Sequence, residues 1–377
     1  MLLKGSKKWP SQRNLSIAVE SNGGIFNAWT GKESTRYFIK LPKGKIDKGI
    51  EIILDMILHP KLEKAEFEKE KGVITQEINR RDDNPDGSIW NLIDKTMWPN
   101  HPLGQSVAGY KDTVKNLQIK DLKIFFDKFY IPQNMVIVAG GNINHQNFVK
   151  VVENFFDKKF IKRKEKLNFL PLKEKQKKPN LSLEFRKTEQ SHLILGIRSF
   201  HCNHPDKFVL NLINSLLGIG WSSRLMLNIR TQKSLTYTIH SGVDYFSDIG
   251  SLVVNSGIKN EKLILAIKEV VNELKRLKKE LVKDDELCQA KEKLKGRFLF
   301  NIELPEDQAE WYGMQEIFQP KILSPKEVLN KIDKVTNKDI MRVSEKLFTA
   351  DRLNLALIGP FKEKDKKTFY ELLKKID

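Results

Sequence analysis

KDLKIFFDKFYIPQNMVIVAGG, residues 120–141, returns at residues 338–359 as KDIMRVSEKLFTADRLNLALIG, an ungapped offset of 218. Each copy opens with Lys-Asp and an aliphatic residue: Lys120-Asp121-Leu122, then Lys338-Asp339-Ile340. Apolar residues follow at helical spacing. A turn comes next, IPQN or TADR. Then comes a run of strand composition, Met135–Gly141 or Leu353–Gly359. A further helix is predicted after each run, over Asn147–Phe156 and Lys367–Leu373.

The repeat extends upstream. Glu66-Phe67 followed by EKEKGVITQEI parallels Glu286-Leu287 followed by CQAKEKLKGRF, at an offset of 220. Before these lie strand-rich stretches, Gly24–Leu41 and Leu235–Ile258, each followed by a long helix, Ile46–Leu58 and Asn260–Lys279. A chain built twice is expected. Strands cluster apart from helices in each copy. The expected fold class is therefore α+β, with two homologous domains, each a mostly antiparallel sheet with helices packed on one face. The stretch Arg163–Asn180, RKEKLNFLPLKEKQKKPN, is charged and Pro-containing and reads as an exposed connector. Expected domains are residues 1–165 and 181–377, with a linker at 166–180.

Composition narrows the function. The chain has 377 residues, and no apolar run is long enough to span a membrane. Cys202 and Cys288 form no CxxC, so neither a disulfide scaffold nor a Cys-ligated zinc fold is expected; reduced thiols are expected, with one long-range disulfide as the alternative. A net charge of +18 permits binding to nucleic acid or to an anionic surface. The lysines are spread along the chain, however, and no nucleic-acid recognition element accompanies them. No nucleic-acid partner is expected, and that role stands as a remote alternative.

The two copies control one another. Glu70 and Glu77 lie seven apart on a predicted helix, nearly two turns, so both carboxylates share a face. At the 220 offset the second copy has Ala290 and Arg297, so the fold alone does not require the carboxylates. Spacing alone favours a solvated acid–base face, because Glu66, Glu68, Lys69 and Lys71 are neighbours. The second copy has its own pair, Arg230 and Tyr237, also seven apart. Arginine holds carboxylates or polarises carbonyls, and a tyrosine hydroxyl donates to a developing oxyanion.

Several stretches in order, MLLKGSKKWP, ESNGGIFNAWTGKESTRYFIKLP, HPKLEKAEFEKEKGVITQEI, HPLGQSVAGYKDTVKNL, FYIPQNMVIVAGGNI and NSLLGIGWSSRLMLNIRTQKSLTYT, resemble the insulinase/pitrilysin class of zinc peptidases. The resemblance covers essentially the whole chain and is greatest to the bacterial and mitochondrial-processing-type branch. In that class an H-x-x-E-H motif and a more distant glutamate hold zinc, and the motif's glutamate activates water. The motif is typically followed by M-L-F-K-G-[ST], and this chain begins Met1-Leu2-Leu3-Lys4-Gly5-Ser6. The resemblance then implies Glu77 as the distal metal ligand and Glu70 as the residue orienting a ligand histidine. It implies Asn27 and Ala28 on a strand that pairs with substrate backbone. It implies that Arg230 and Tyr237 reach substrate near the metal. Thr231 stands where the class often has glutamate, which leaves the pair intact.

None of the seven histidines sits in H-x-x-E-H, and His201 and His204, in HCNHPDK, read as a loop. The resemblance therefore implies a zinc-dependent endopeptidase-type subunit, acting on unfolded peptides, that is inactive as it stands. One expectation is a chain cut just downstream of its zinc helix. The other is a non-catalytic partner subunit in a heterodimeric peptidase. Zn2+ belongs to the intact family site, and this chain alone is not expected to bind it. Peptide substrates and a homodimer or heterodimer are expected, in a bacterial-type cytoplasm or periplasm. Any signal peptide would lie in the missing N-terminal part.

Overall fold

The computed structural model describes residues 1–156, 170–172 and 176–377; residues 166–169 and 173–175 of the expected linker at 166–180 and the boundary at 165 lie outside the described residues. In chain order, α1 (Gln12–Glu20), β1 (Ile25–Thr30), β2 (Thr35–Lys40), α2 (Ile46–Leu58), α3 (Lys64–Asp83), α4 (Pro85–Met97), α5 (Lys111–Asn116), α6 (Ile119–Phe129) and α7 (His145–Glu153) come first. Next are β3 (Asn180–Phe185), β4 (Gln190–Ser199), α8 (Lys207–Gly218), β5 (Thr236–Tyr245), β6 (Gly250–Lys259), α9 (Leu263–Lys279) and α10 (Asp284–Phe300). The chain ends with α11 (Pro305–Phe318), α12 (Pro325–Asp333), α13 (Asn337–Leu347), β7 (Leu353–Gly359) and α14 (Lys366–Lys374).

Two compact units emerge, and they interleave in sequence. One comprises Met1–Arg80, Val107–Leu170 and Ile302–Ile317; the other comprises Arg81–Ser106, Pro171–Asn301 and Phe318–Asp377. Each unit therefore contains a helix from the other sequence half: α4 in the second, and α11 up to Ile317 in the first.

The second unit holds a five-stranded sheet in the order β3-β7-β4-β6-β5. Only β3 and β7 run parallel; the remaining pairs are antiparallel. This is the α+β, mostly antiparallel class expected from the sequence. Helices α8, α9 and α13 pack against strands of the sheet. The opposite face is also covered, by α4. Ile89, Ile93 and Met97 of α4 form one core with Ile194, Val253, Ala356 and Ile358. Gly196 makes the close approach possible, because a Cβ there would meet Met97 Sδ at 2.5 Å. With both faces covered, every residue of β7 is buried, which is why LNLALIG reads as a continuous apolar run.

The first unit centres on α1, α2 and the β1–β2 hairpin. Ser11 caps α1 by accepting the Asn14 N–H at 3.2 Å. Leu15 and Val19 of α1 and Ile52 and Met56 of α2 bury against Leu2 and Trp9. Phe126 and Tyr130 pack on this core from the end of α6, and the Tyr130 hydroxyl meets that of Tyr37 at 2.8 Å. Burial and the neighbouring Tyr130 push the Tyr37 phenol above its ordinary range.

Several repeated elements share local geometry. The Asp121 carboxylate accepts the Gln118 N–H at 2.9 Å at the start of α6, and Asp339 accepts the Thr336 N–H at 3.0 Å at the start of α13. A 3-10 turn follows each helix, Pro132–Asn134 and Ala350–Arg352. The strand expected at Met135–Gly141 does not form. Its counterpart β7 is a strand because β3 and β4 flank it. Among the described residues no strand pairs with 135–141, and an extended segment without a ladder partner is not a strand.

Candidate functional site

Helix α3 carries Glu70 and Glu77. It buries only Phe67 and Ile78, eleven residues or about three turns apart, so most of its surface is open. Glu70 is largely shielded and pairs with Lys4 Nζ at 2.8 Å. Lys4 lies in the 3-10 turn Leu2–Lys4, and its Nζ also donates to Gln12 Oε1 at 3.2 Å. Glu77 is exposed and makes no hydrogen bond or ion pair among the described residues. No group of three or more His, Cys, Asp or Glu side chains is placed to hold a metal ion among the described residues. A catalytic zinc takes three protein ligands. Among the described residues Glu77 has no two companion ligands to complete such a set.

The histidines serve other ends. His201 Nδ1 accepts the Asn203 N–H at 3.2 Å, and His204 Nδ1 accepts the Asp206 N–H at 3.0 Å. His204 also stacks on Phe200, with ring centroids 3.8 Å apart. Burial lowers the His204 pKa from its ordinary value, against the opposing effect of Asp206. His101 Nδ1 accepts the Leu103 N–H at 3.2 Å and caps a 3-10 turn. Both cysteines are free thiols, Cys202 buried and Cys288 exposed.

Asn27 and Ala28 sit in the middle of β1, paired with Phe38 and Tyr37 of β2. Across the hairpin end, Gly31 N–H donates to Ser34 carbonyl at 2.8 Å. Bonded and non-bonded pairs alternate along an antiparallel ladder. Counting back from Gly31, the backbone groups of Thr30, Ala28 and Phe26 face away from β2. The Ala28 N–H confirms the phase: Asn27 Oδ1 accepts it at 2.8 Å. Among the described residues no strand pairs with the outer edge of β1, where the chain's own Asn27 accepts the Ala28 N–H.

In the second unit Arg230 and Tyr237 come together. Residues Met226–Gln232 form a π-helical turn, a geometry that re-aims side chains and recurs at functional sites. At the start of β5 the register slips between Thr236 and Ile239, so Tyr237 and Thr238 sit in a bulge. The Thr236 hydroxyl donates to the Gly257 carbonyl at 2.6 Å, and Ser256 Oγ donates to the Thr238 carbonyl at 2.8 Å, which pins the bulge. Tyr237 is left 80% exposed. Arg230 Nε donates to the Tyr237 carbonyl at 2.7 Å. The guanidinium lies 4.3 Å from the Trp221 ring centroid and 5.3 Å from that of Tyr237.

The π-helical turn is anchored from α9. Asn228 Nδ2 donates to Glu273 Oε1 at 2.9 Å, and Glu273 is almost fully buried. Sequence reading missed Trp221 and this anchor. Trp221 carried a signal, an aromatic directly after Gly220, whose φ of 77° turns the chain outward. The Asn228–Glu273 bond joins residues 45 apart and has no local sequence mark.

Residues 1–111 match the model of the insulinase family (peptidase family M16), and residues 116–294 match that of the peptidase M16 inactive domain. The chain is 30% identical to the uncharacterized zinc protease YmxG of Bacillus subtilis (strain 168), over 96% of this chain and 86% of that protein. The crystal structure of a protease from Helicobacter pylori superposes with a TM-score of 0.89 at 24% identity, covering 95% of this chain and 87% of that one. A peptidase M16 inactive domain from Pseudomonas fluorescens gives a TM-score of 0.84 at 17% identity, covering 96% and 87%.

Proposed function

Because this chain belongs to the insulinase family, peptidase family M16, we propose that it is a peptidase-type subunit that binds unfolded peptides and does not hydrolyse them alone. The observation that carries the reading is the contrast between two sets of residues. The groups that would receive a peptide are arranged for it: the outer edge of β1, and Arg230 held against Tyr237 and Trp221. The groups that would hold zinc are not: Glu77 is exposed and has no companion ligands among the described residues. One carboxylate does not hold zinc against water at useful affinity.

An extended peptide adds to β1 as a third strand. Its backbone displaces Asn27 Oδ1 from the Ala28 N–H, and main-chain hydrogen bonds supply affinity without demanding a sequence. In the second unit, Arg230 Nε is committed to the Tyr237 carbonyl, which leaves the two Nη groups as donors for a ligand. The Tyr237 hydroxyl, on a largely exposed ring, is a further donor. No bond-breaking step is assigned to these groups.

A second reading follows from the same geometry. A related subunit bearing a complete metal site would supply hydrolysis, and this chain would supply walls for the substrate, as a homodimer or heterodimer. The preset Arg230–Tyr237 contact favours it, since that contact serves peptide without any metal.

Purified protein tests the proposal through three measurements: bound metal, cleavage of a fluorogenic unfolded peptide, and anisotropy of a labelled non-cleaved peptide. Binding without cleavage, and zinc well below one per chain, is the expected result. Stoichiometric zinc together with cleavage that Glu77→Gln abolishes would overturn it.

A further inference from the structure

Two cations of α10 stand where α3 has a valine and an acid. At the offset of 220, Lys293 answers Val73 and Arg297 answers Glu77. They lie four residues apart on α10, and so share a face. Lys293 is half-buried and Arg297 is exposed. Among the described residues neither makes a hydrogen bond or an ion pair.

Other cations of the second unit have acids. Lys295, two residues from Lys293 and on another face of α10, pairs with Glu292 and Asp333 at 2.6 and 2.9 Å. Lys233 pairs with Glu269, and Arg276 with Glu273. Glu286 acts on Lys293 from a distance, but Arg224 Nε and Nη2 hold both of its oxygens, each at 2.7 Å. Burial and the neighbouring Arg297 push the Lys293 ammonium below its ordinary range, against the effect of Glu286. Like charges one turn apart on a helix destabilise it, and an arriving anion removes that cost.

The pair adjoins the Arg230 site. The Lys293 stem passes Gly220, where a Cβ would meet its Cδ at 3.7 Å. The next residue is Trp221, 68% exposed, whose ring carries the Arg230 guanidinium. Arg297, Lys293, Trp221 and Arg230 therefore follow one another within the second unit.

We propose that Lys293 and Arg297 select acidic segments of unfolded peptides, receiving Asp or Glu side chains of the chain that Arg230 and Tyr237 hold. This inference rests on the peptide-binding reading and adds a substrate class to it. An ammonium and a guanidinium offer donors only, and a carboxylate offers acceptors only. The spacing also suits an extended chain. Four helical residues rise about 6 Å, and side chains on one side of a strand recur about every 6.6 Å. Two carboxylates at alternate positions of a peptide thus reach one cation each. Phosphate is the competing anion. A nucleic acid is held by many cations along its backbone, whereas α10 offers these two and neutralises Lys295 with its own acids.

The test titrates the intact protein with labelled unfolded peptides that differ only at two alternate positions, filled by Asp, Asn or Lys. All are C-terminally amidated, and a further Asn peptide keeps its terminal carboxylate. Anisotropy should show the Asp peptide bound about fivefold more tightly than the Asn peptide, with the advantage shrinking as salt rises. Lys293→Gln combined with Arg297→Gln should erase that advantage, with circular dichroism as the check on folding. Arg297→Glu, the first copy's residue at this position, should turn the preference toward the Lys peptide. Lys295→Gln removes the same charge from another face of α10 and should leave the preference intact. Equal binding of the Asp and Asn peptides overturns the proposal, as does a preference that survives the double substitution or falls equally in Lys295→Gln. So does a preference carried by the terminal carboxylate, or displacement by an RNA oligonucleotide at a lower concentration than the Asp peptide requires. If the Asp preference persists while Arg230→Ala changes no peptide's affinity, the functional reading fails and this one stands. If the Asn peptide binds through Arg230 with no preference for Asp, the reverse holds.

Discussion

Arg230 donates its Nε–H to the backbone carbonyl of Tyr237 at 2.7 Å, and so ties a π-helical turn to a strand bulge. Two local irregularities meet in one hydrogen bond. The π-helical turn alone would leave a mobile arginine, and the bulge alone would leave a carbonyl facing solvent. Together they hold the guanidinium over the Trp221 ring, 4.3 Å from its centroid. A long side chain held before its ligand arrives loses less entropy on binding.

Arg230→Ala should weaken binding of an unfolded peptide about tenfold, with little change in melting temperature, because the side chain lies at the surface. Arg230→Lys should not rescue it, since an ammonium has no Nε–H to hold the Tyr237 carbonyl and no fork of donors. Trp221→Ala should give a smaller loss by freeing the guanidinium, a cation–π contact at an exposed site being worth about 0.5–1 kcal/mol. Anisotropy titrations of the three variants decide it, and equal losses in all would argue against a preset arginine.

Ala28→Pro separates the edge of β1 from its ladder. The Ala28 N–H points away from β2 and, among the described residues, is bonded only to Asn27 Oδ1. Removing it costs no β1–β2 bond, and proline is tolerated at edges. The fold should survive, as read by circular dichroism, while peptide affinity falls several-fold. Unchanged affinity would mean that peptide does not lie along this edge.

The repeat made the helices readable. Apolar residues at helical spacing after a repeated Lys-Asp marked α6 and α13, and strand composition marked β1, β2 and β7. What failed to show was partnership. Met135–Gly141 and Leu353–Gly359 look alike in sequence, yet only the second has strands on both sides. The interleaving of the units was hidden for the same reason. Nothing within PDGSIWNLIDKTM says which sheet its apolar stripe will meet. In the candidate site, the carboxylates and the Arg–Tyr pair were visible as residues that one copy has and the other lacks. Trp221 and Asn228 were not, because their roles arise from contacts across a loop and to α9.

Ile93→Ala tests where α4 belongs. Ile93 is almost fully buried among Ile194, Val253 and Ala356, so truncation leaves a cavity in the second unit's core. A loss of about 3 kcal/mol is expected in urea unfolding. Exchange protection should fall in β4 and β7, and residues 46–58 should keep theirs. Equal loss in both places would show that α4 does not belong to one unit.

Asp206 and Arg342 set an acid limit on the second unit. Arg342 Nη1 and Nη2 donate to the two Asp206 oxygens at 3.0 and 2.8 Å, joining α13 to the residue that precedes α8. Those bonds hold the Asp206 carboxyl below its ordinary range, against the opposing effect of burial; His204 and Lys346 also face it and act in the same direction as Arg342. Asp339 shares Arg342 from the helix's own first turn. A carboxyl whose folded pKa lies below its unfolded value stabilises the fold at pH above that unfolded value, about 4. The contribution disappears as pH falls through the lower, folded value. Arg342 is half exposed, so solvent screening limits the pair to about 1 kcal/mol. Asp206→Asn should therefore lower stability by about that amount at pH 7 and by progressively less at acid pH, as the native carboxyl takes up its proton. Asp206 provides no side-chain cap to α8, so the substitution reports on the ion pair and not on the helix start. Urea midpoints at pH 7 and at acid pH measure the difference; a gap that persists undiminished at low pH would assign the loss to packing instead.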